Sequence, residues 1–103
     1  MLTLKKKKNK SPDFLQIREK MIAVNDGIKQ GMIKVEGNKV YIIDFFWKNK
    51  DTKYKKSFAK NMFIYVGINK GKEFDPNIPV EIFDLETKIK VSSFFNKKAT
   101  IYR

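Results

Sequence analysis

The chain has no cysteine and no histidine among its 103 residues. Without cysteine there is no disulfide framework, no thiolate nucleophile and no cysteine-ligated zinc or iron–sulfur site. Without histidine the usual general base near neutral pH and the commonest transition-metal ligand are missing too. Triads built on histidine are therefore excluded. No other set of nucleophile, acid and base has a recognisable spacing, so the sequence predicts no enzyme and no cofactor. Long apolar runs are also absent: nothing approaches the ~20 residues of a membrane span. The charged start MLTLKKKKNKSPDF is not followed by the apolar segment of a signal peptide. These features predict a soluble, cytoplasmic chain with no membrane attachment.

Acidic residues are scarce. Asp and Glu number 11 against 23 Lys and Arg, for a formal charge of +12 and a pI near 9.9. A polyanion or an acidic protein is the expected partner. The excess is uneven, because residues 1–60 carry sixteen basic and six acidic residues whereas 61–103 carry seven and five. Five of the acids fall between Glu73 and Glu86, but their spacing matches no calcium loop and prolines interrupt it, so no metal site is expected.

Apolar residues make up 42% of the chain, enough for the core of one small domain. Residues 1–10 hold five lysines and predict a basic flexible tail, leaving 11–103 as a single domain. Ser11-Pro12-Asp13 has the chemistry of a helix start. Phe14, Ile17, Met21 and Val24 then recur at helical spacing, predicting a helix over 12–24 with a core-facing stripe. Asn25-Asp26-Gly27 reads as its terminating turn. From Met32 the pattern becomes β: MIKV, a turn at Glu36-Gly37-Asn38, then KVYIIDFFW as the second arm of a hairpin. Residues 53–65 fit either helix or strand, and the β-branched and aromatic run predicts a strand over 62–68. Residues 72–79 are a proline-broken loop, and 80–83, 88–91 and 100–102 predict three further strands. The fold class is α+β: one N-terminal helix followed by a mostly antiparallel sheet or a small partly closed barrel. The alternative, if 53–65 is helical, is a winged helix.

The stretch with chemical content is Phe45–Lys60, FFWKNKDTKYKKSFAK, in which five aromatic residues alternate with six lysines around one acid. Phosphate backbones attract ammonium groups, and exposed bases stack on aromatic faces for roughly 1–3 kcal/mol each. The expected function is low-specificity binding of single-stranded DNA or RNA. In that scheme Trp47, Tyr54, Tyr41 and Phe58 stack bases. Lys48, Lys50, Lys53, Lys55, Lys56 and Lys60 neutralise the backbone, with Arg18 and Lys20 as a second rim. The alternative from another class is a protein-directed binder, such as an inhibitor or an accessory subunit of a replication or transcription assembly.

Overall fold

The computed structural model describes residues 3–103, with side chains from residue 15 onward. In chain order the elements are α1 (Thr3–Lys29), β1 (Ile33–Glu36), β2 (Lys39–Ile42), α2 (Asp44–Trp47), α3 (Thr52–Lys70), a single 3-10 turn (Gly71–Glu73), β3 (Val80–Asp84), β4 (Lys90–Phe95) and β5 (Lys98–Ile101). The five strands form one sheet in sequential order β1-β2-β3-β4-β5. Only β2 and β3 pair in parallel. A parallel pair needs a long crossover, and α2 with α3 supplies it. The architecture is thus α+β with a mostly antiparallel, open sheet whose edges are β1 and β5. The barrel option is not taken. Nor is the winged helix, since the C-terminal hairpin β4–β5 is the end of the main sheet.

Helix α1 contains the predicted 12–24 segment and passes through both expected boundaries. It begins at Thr3, inside the segment expected to be a flexible tail; the side chains of residues 1–14 lie outside the described residues. Asn25-Asp26-Gly27 does not end it. The stop is a Schellman-type closure in which Met32 N–H donates to the Gly27 carbonyl (2.9 Å) and Gly31 N–H to the Ile28 carbonyl (3.1 Å). Gly31, at φ 80°, supplies the left-handed residue. Gly27 has a different purpose, because a Cβ there would stand 2.7 Å from Ile33 Cδ1. Its bare backbone lets β1 lie close to α1. Among the described side chains of the predicted stripe, Val24 is buried, Met21 half-buried and Ile17 exposed, and the Phe14 side chain lies outside the described residues.

The hairpin forms with the predicted turn, pairing Ile33 with Ile42 and Val35 with Val40. Its second arm is shorter than expected. The chain leaves the sheet after Ile42 and turns into α2, which places Asp44 in an exposed first helical turn, 3.9 Å from Lys48, instead of burying it in a strand. That turn swings Trp47 into the core.

The strand predicted over 62–68 is helix α3, and its signals are local. Asp51 caps it by accepting from Tyr54 N–H at 2.8 Å, and Phe58, Ala59, Met62 and Val66 form the buried face. The aromatic run between them looked strand-like because more than one side of this helix is covered: Phe63 packs on Phe74 and Phe94, and Tyr65 O–H reaches Asn25 Oδ1 on α1. Asp51→Ala should lower stability by about 1 kcal/mol in urea unfolding, the usual cost of losing a cap.

At the other end, β3 begins where predicted, but β4 lies later than the expected 88–91 and β5 starts earlier than the expected 100, because Asn96 and Lys97 both take positive φ (55° and 62°) and make a tight two-residue turn between Phe95 and Lys98. The β3–β4 connection is held by Asp84, whose Oδ1 accepts from the N–H groups of Glu86 and Thr87, each at 2.8 Å. The Thr87 hydrogen bond leads in holding this carboxyl below its ordinary value of 3.8, against the upward push of burial. A depressed folded pKa stabilises the fold above the ordinary carboxylate range, and that stabilisation disappears as pH falls through the folded value. Asp84→Ala should therefore cost about 1–3 kcal/mol near neutrality. Urea titrations of both proteins at about pH 7 and about pH 2 should show the difference shrinking in acid.

The core lies between α3 and one face of the sheet: Val40, Ile42, Val80, Ile82, Val91 and Phe94 from the strands meet Phe58, Ala59, Met62 and Val66, with Trp47, Ile33 and Val24 closing one end. Among the described residues, no helix is long and apolar enough to cross a membrane.

Candidate nucleic-acid interface

Residues alternate across a strand, so covering one sheet face with α3 fixes what the other presents. Val40 and Ile42 point inward, which turns Tyr41 outward; Ile82 and Asp84 do the same for Phe83. The register aligns these side chains across strands: Lys34 opposite Tyr41, Tyr41 opposite Phe83, and Phe83 opposite Lys90. Tyr102, just past β5, completes the row, its backbone N–H bonded to the Val91 carbonyl at 2.9 Å. A single line therefore crosses the uncovered face in the order Lys34, Tyr41, Phe83, Lys90, Tyr102.

Its geometry is that of rings beside cations. Tyr41 and Phe83 stack on each other with centroids 5.5 Å apart and planes 27° off parallel. The Lys88 ammonium stands 4.8 Å from the Tyr41 centroid, and that of Lys90 5.8 Å from the Tyr102 centroid. Tyr102 is 53% exposed, Phe95 46%, and Lys98 lies opposite Phe95 at the hairpin end. Two acids share the face, and each is paired: Glu36 with Lys34 at 3.1 Å, Glu81 with Lys90 at 2.7 Å. The Glu81 hydrogen bond also raises the Lys90 pKa, so Lys90 stays protonated. Ser93 and the Tyr102 hydroxyl, 3.2 Å apart, offer hydrogen-bonding groups beside the rings. Along this face a shallow concavity of about 400 Å³ is lined by Glu81, Lys90, Ser93, Phe95, Lys98 and Tyr102.

The residues singled out in the sequence separate into three groups. Tyr41 alone belongs to the open sheet face. Trp47 and Phe58 are core, 2% and 7% exposed, with the Trp47 indole N–H donating to the Arg103 carbonyl at 3.0 Å and its ring edge-on to Phe58. Neither has a free face for a base. Tyr54 is 40% exposed, but the Lys50 ammonium sits between its ring and that of Phe46, 4.9 and 4.8 Å from the two centroids. Partial burial raises the Tyr54 phenol pKa.

The lysines form the third group. Lys53, Lys56 and Lys60 line the outer side of α3, with Lys20 bordering the same α1–α3 groove as Lys60. Arg18 is exposed on α1 without lining that groove. Lys48 pairs with Asp44, and Lys55 donates to the Arg103 carbonyl at 3.0 Å above the Trp47 ring. The interleaving of rings and lysines in 45–60 is thus divided between α2, a connecting loop and the first half of α3, with Trp47 and Phe58 inside and Lys53, Lys56 and Lys60 outside. Phe45 departs from it, being 75% exposed on α2.

The sequence reasoning missed Phe83, Lys88, Lys90, Phe95 and Tyr102. For Phe83 the sequence does carry a signal, the period-2 alternation in VEIFD, which puts Val80 and Ile82 on one face and Glu81 and Phe83 on the other. Among the described residues no group of acids is placed to hold a metal ion. No family model matches the chain, and neither the search of curated proteins nor the search of solved structures gives a match.

Proposed function

We propose that this chain is a small basic nucleic-acid-binding protein that takes single-stranded DNA or RNA on the uncovered face of its sheet, without enzymatic activity. The observation that carries this is the cross-strand row Lys34, Tyr41, Phe83, Lys90, Tyr102. A sheet with helices on one side and aromatic side chains on the other suits unpaired bases, which stack on rings wherever both have a free face. Lys34, Lys88, Lys90 and Lys98 are spaced around the rings to meet the phosphates. Lysine forms few fixed bonds, so sequence preference should be slight. The absence of cysteine suits a reducing compartment, and we place the protein in the cytoplasm.

The test is fluorescence anisotropy with labelled single-stranded DNA, RNA and duplex DNA of matched length. Four phosphate contacts predict a log–log salt slope near −2.8 for a single strand, hence about 50-fold weaker binding between 50 and 200 mM salt. Single strands should bind more tightly than duplex at moderate salt. Weak binding that is equal for all three and gone at physiological salt would contradict the proposal. That outcome would instead favour the protein-directed alternative, for which exposed Phe45 is the natural anchor.

A further inference from the structure

Extending the sheet-face proposal, on which it rests, we infer that the outer side of α3 is a second nucleic-acid site, specific for the phosphate backbone of a duplex, and that one domain bridges a single strand and a duplex. Lys53, Lys56 and Lys60 follow one another at three- and four-residue spacing, which places them on one side of the helix. Phe58, Ala59, Met62 and Val66 occupy the opposite side, against the sheet. The three ammonium groups therefore point away from the open sheet face. Lys20 adds a fourth charge across the α1–α3 groove.

Two features separate this surface from the sheet face. First, it is charge without stacking: Phe58 is buried and the Tyr54 ring is occupied by Lys50. Secondly, its lysines are uncommitted, since none of Lys20, Lys53, Lys56 or Lys60 is in a salt bridge among the described residues, whereas Lys34, Lys48 and Lys90 are. From Lys53 to Lys60 the helix rises roughly 10 Å. Projected on the axis of a B-form duplex, that length covers about three steps of one strand at 3.4 Å of rise each. A base-blind row of cations at this pitch complements a duplex backbone, which presents fixed phosphates and no free base face. The α3 layer and the sheet lie between the two surfaces, so each can be filled by a different nucleic acid.

The experiment uses the full chain, a donor-labelled oligothymidylate and an acceptor-labelled blunt duplex, with energy transfer as the sign of bridging. Two variants accompany it: Lys53→Gln/Lys56→Gln/Lys60→Gln and Tyr41→Ala/Tyr102→Ala. Wild type should bring the labels together. The lysine variant should keep its single-strand affinity within about two-fold, abolish transfer, and lower the duplex salt slope by about 2.7. The inference is overturned if the lysine variant binds duplex as wild type does, if it loses single-strand and duplex affinity alike, or if wild type binds both ligands without transfer. Failure of the sheet-face proposal has a separate signature: single-strand affinity unchanged in the tyrosine variant.

Discussion

Trp47→Ala should strip this protein of about 3–5 kcal/mol of stability, the usual cost of deleting a large buried aromatic side chain. The indole is 2% exposed, lies edge-on to Phe58 with centroids 5.7 Å apart, and ties α2 to the segment that follows β5 through its N–H bond to the Arg103 carbonyl. Removing it leaves a cavity and takes one of two donors from the Arg103 carbonyl, which keeps Lys55 Nζ at 3.0 Å. A chain of this size is stable by only about 5–15 kcal/mol, so much of the folded state's margin disappears. The urea midpoint should drop by roughly 2–3 M at an m-value of about 1.5 kcal/mol per M. A variant that keeps its midpoint while losing affinity for single strands would instead place Trp47 at the interface.

The opposite pattern is expected for Tyr41→Ala/Tyr102→Ala. Both rings lie on the uncovered face, and the folded state loses only the Tyr41–Phe83 stack and the Ser93–Tyr102 contact. An aromatic pair of this kind adds about 0.5–1.5 kcal/mol, so the fold survives. Binding should suffer more: at the lower end of roughly 1 kcal/mol per stacked base, losing both rings weakens single-strand affinity about 30-fold. Duplex affinity should barely change. Anisotropy titrations of the two ligands measure the ratio directly, and an unchanged single-strand affinity would remove the sheet face from consideration.

These two substitutions also mark what could be read from the sequence. The class, the first hairpin and its turn, the proline-broken loop and the three C-terminal strands were legible, because each rests on local chemistry: Glu36-Gly37-Asn38, the two prolines, and short β-branched runs. The nature of residues 52–70 was not. The run MFIYVGI has strand-forming residues, yet Asp51 as a cap and buried positions at 58, 62 and 66 make it a helix whose flanks are also covered by Phe74, Phe94 and Asn25. Tertiary contacts overrode propensity there.

The site depended on that same element. With a strand expected over 62–68 and 53–65 open between helix and strand, the rings and lysines of 45–60 read as one surface; the helix Thr52–Lys70 sends Phe58 into the core and Lys53, Lys56 and Lys60 to the far side. Tyr41 was found because it stands in the predicted hairpin. Phe83, Lys90 and Tyr102 join it only through the parallel β2–β3 pairing and the β3–β4 register, long-range alignments to which no local signal points. The bulge between Ile82 and Phe83 adds a shift that strict alternation along β4 does not anticipate.

The most direct test of the central claim, that bases meet the uncovered sheet face, is an NMR titration of the labelled protein with a short single-stranded oligonucleotide. The largest amide and aromatic shifts should fall at Lys34, Tyr41, Phe83, Lys90 and Tyr102, leaving Lys53, Lys56 and Lys60 nearly still at equimolar ligand. Shifts confined to α2 and α3, with the sheet row unmoved, would contradict it.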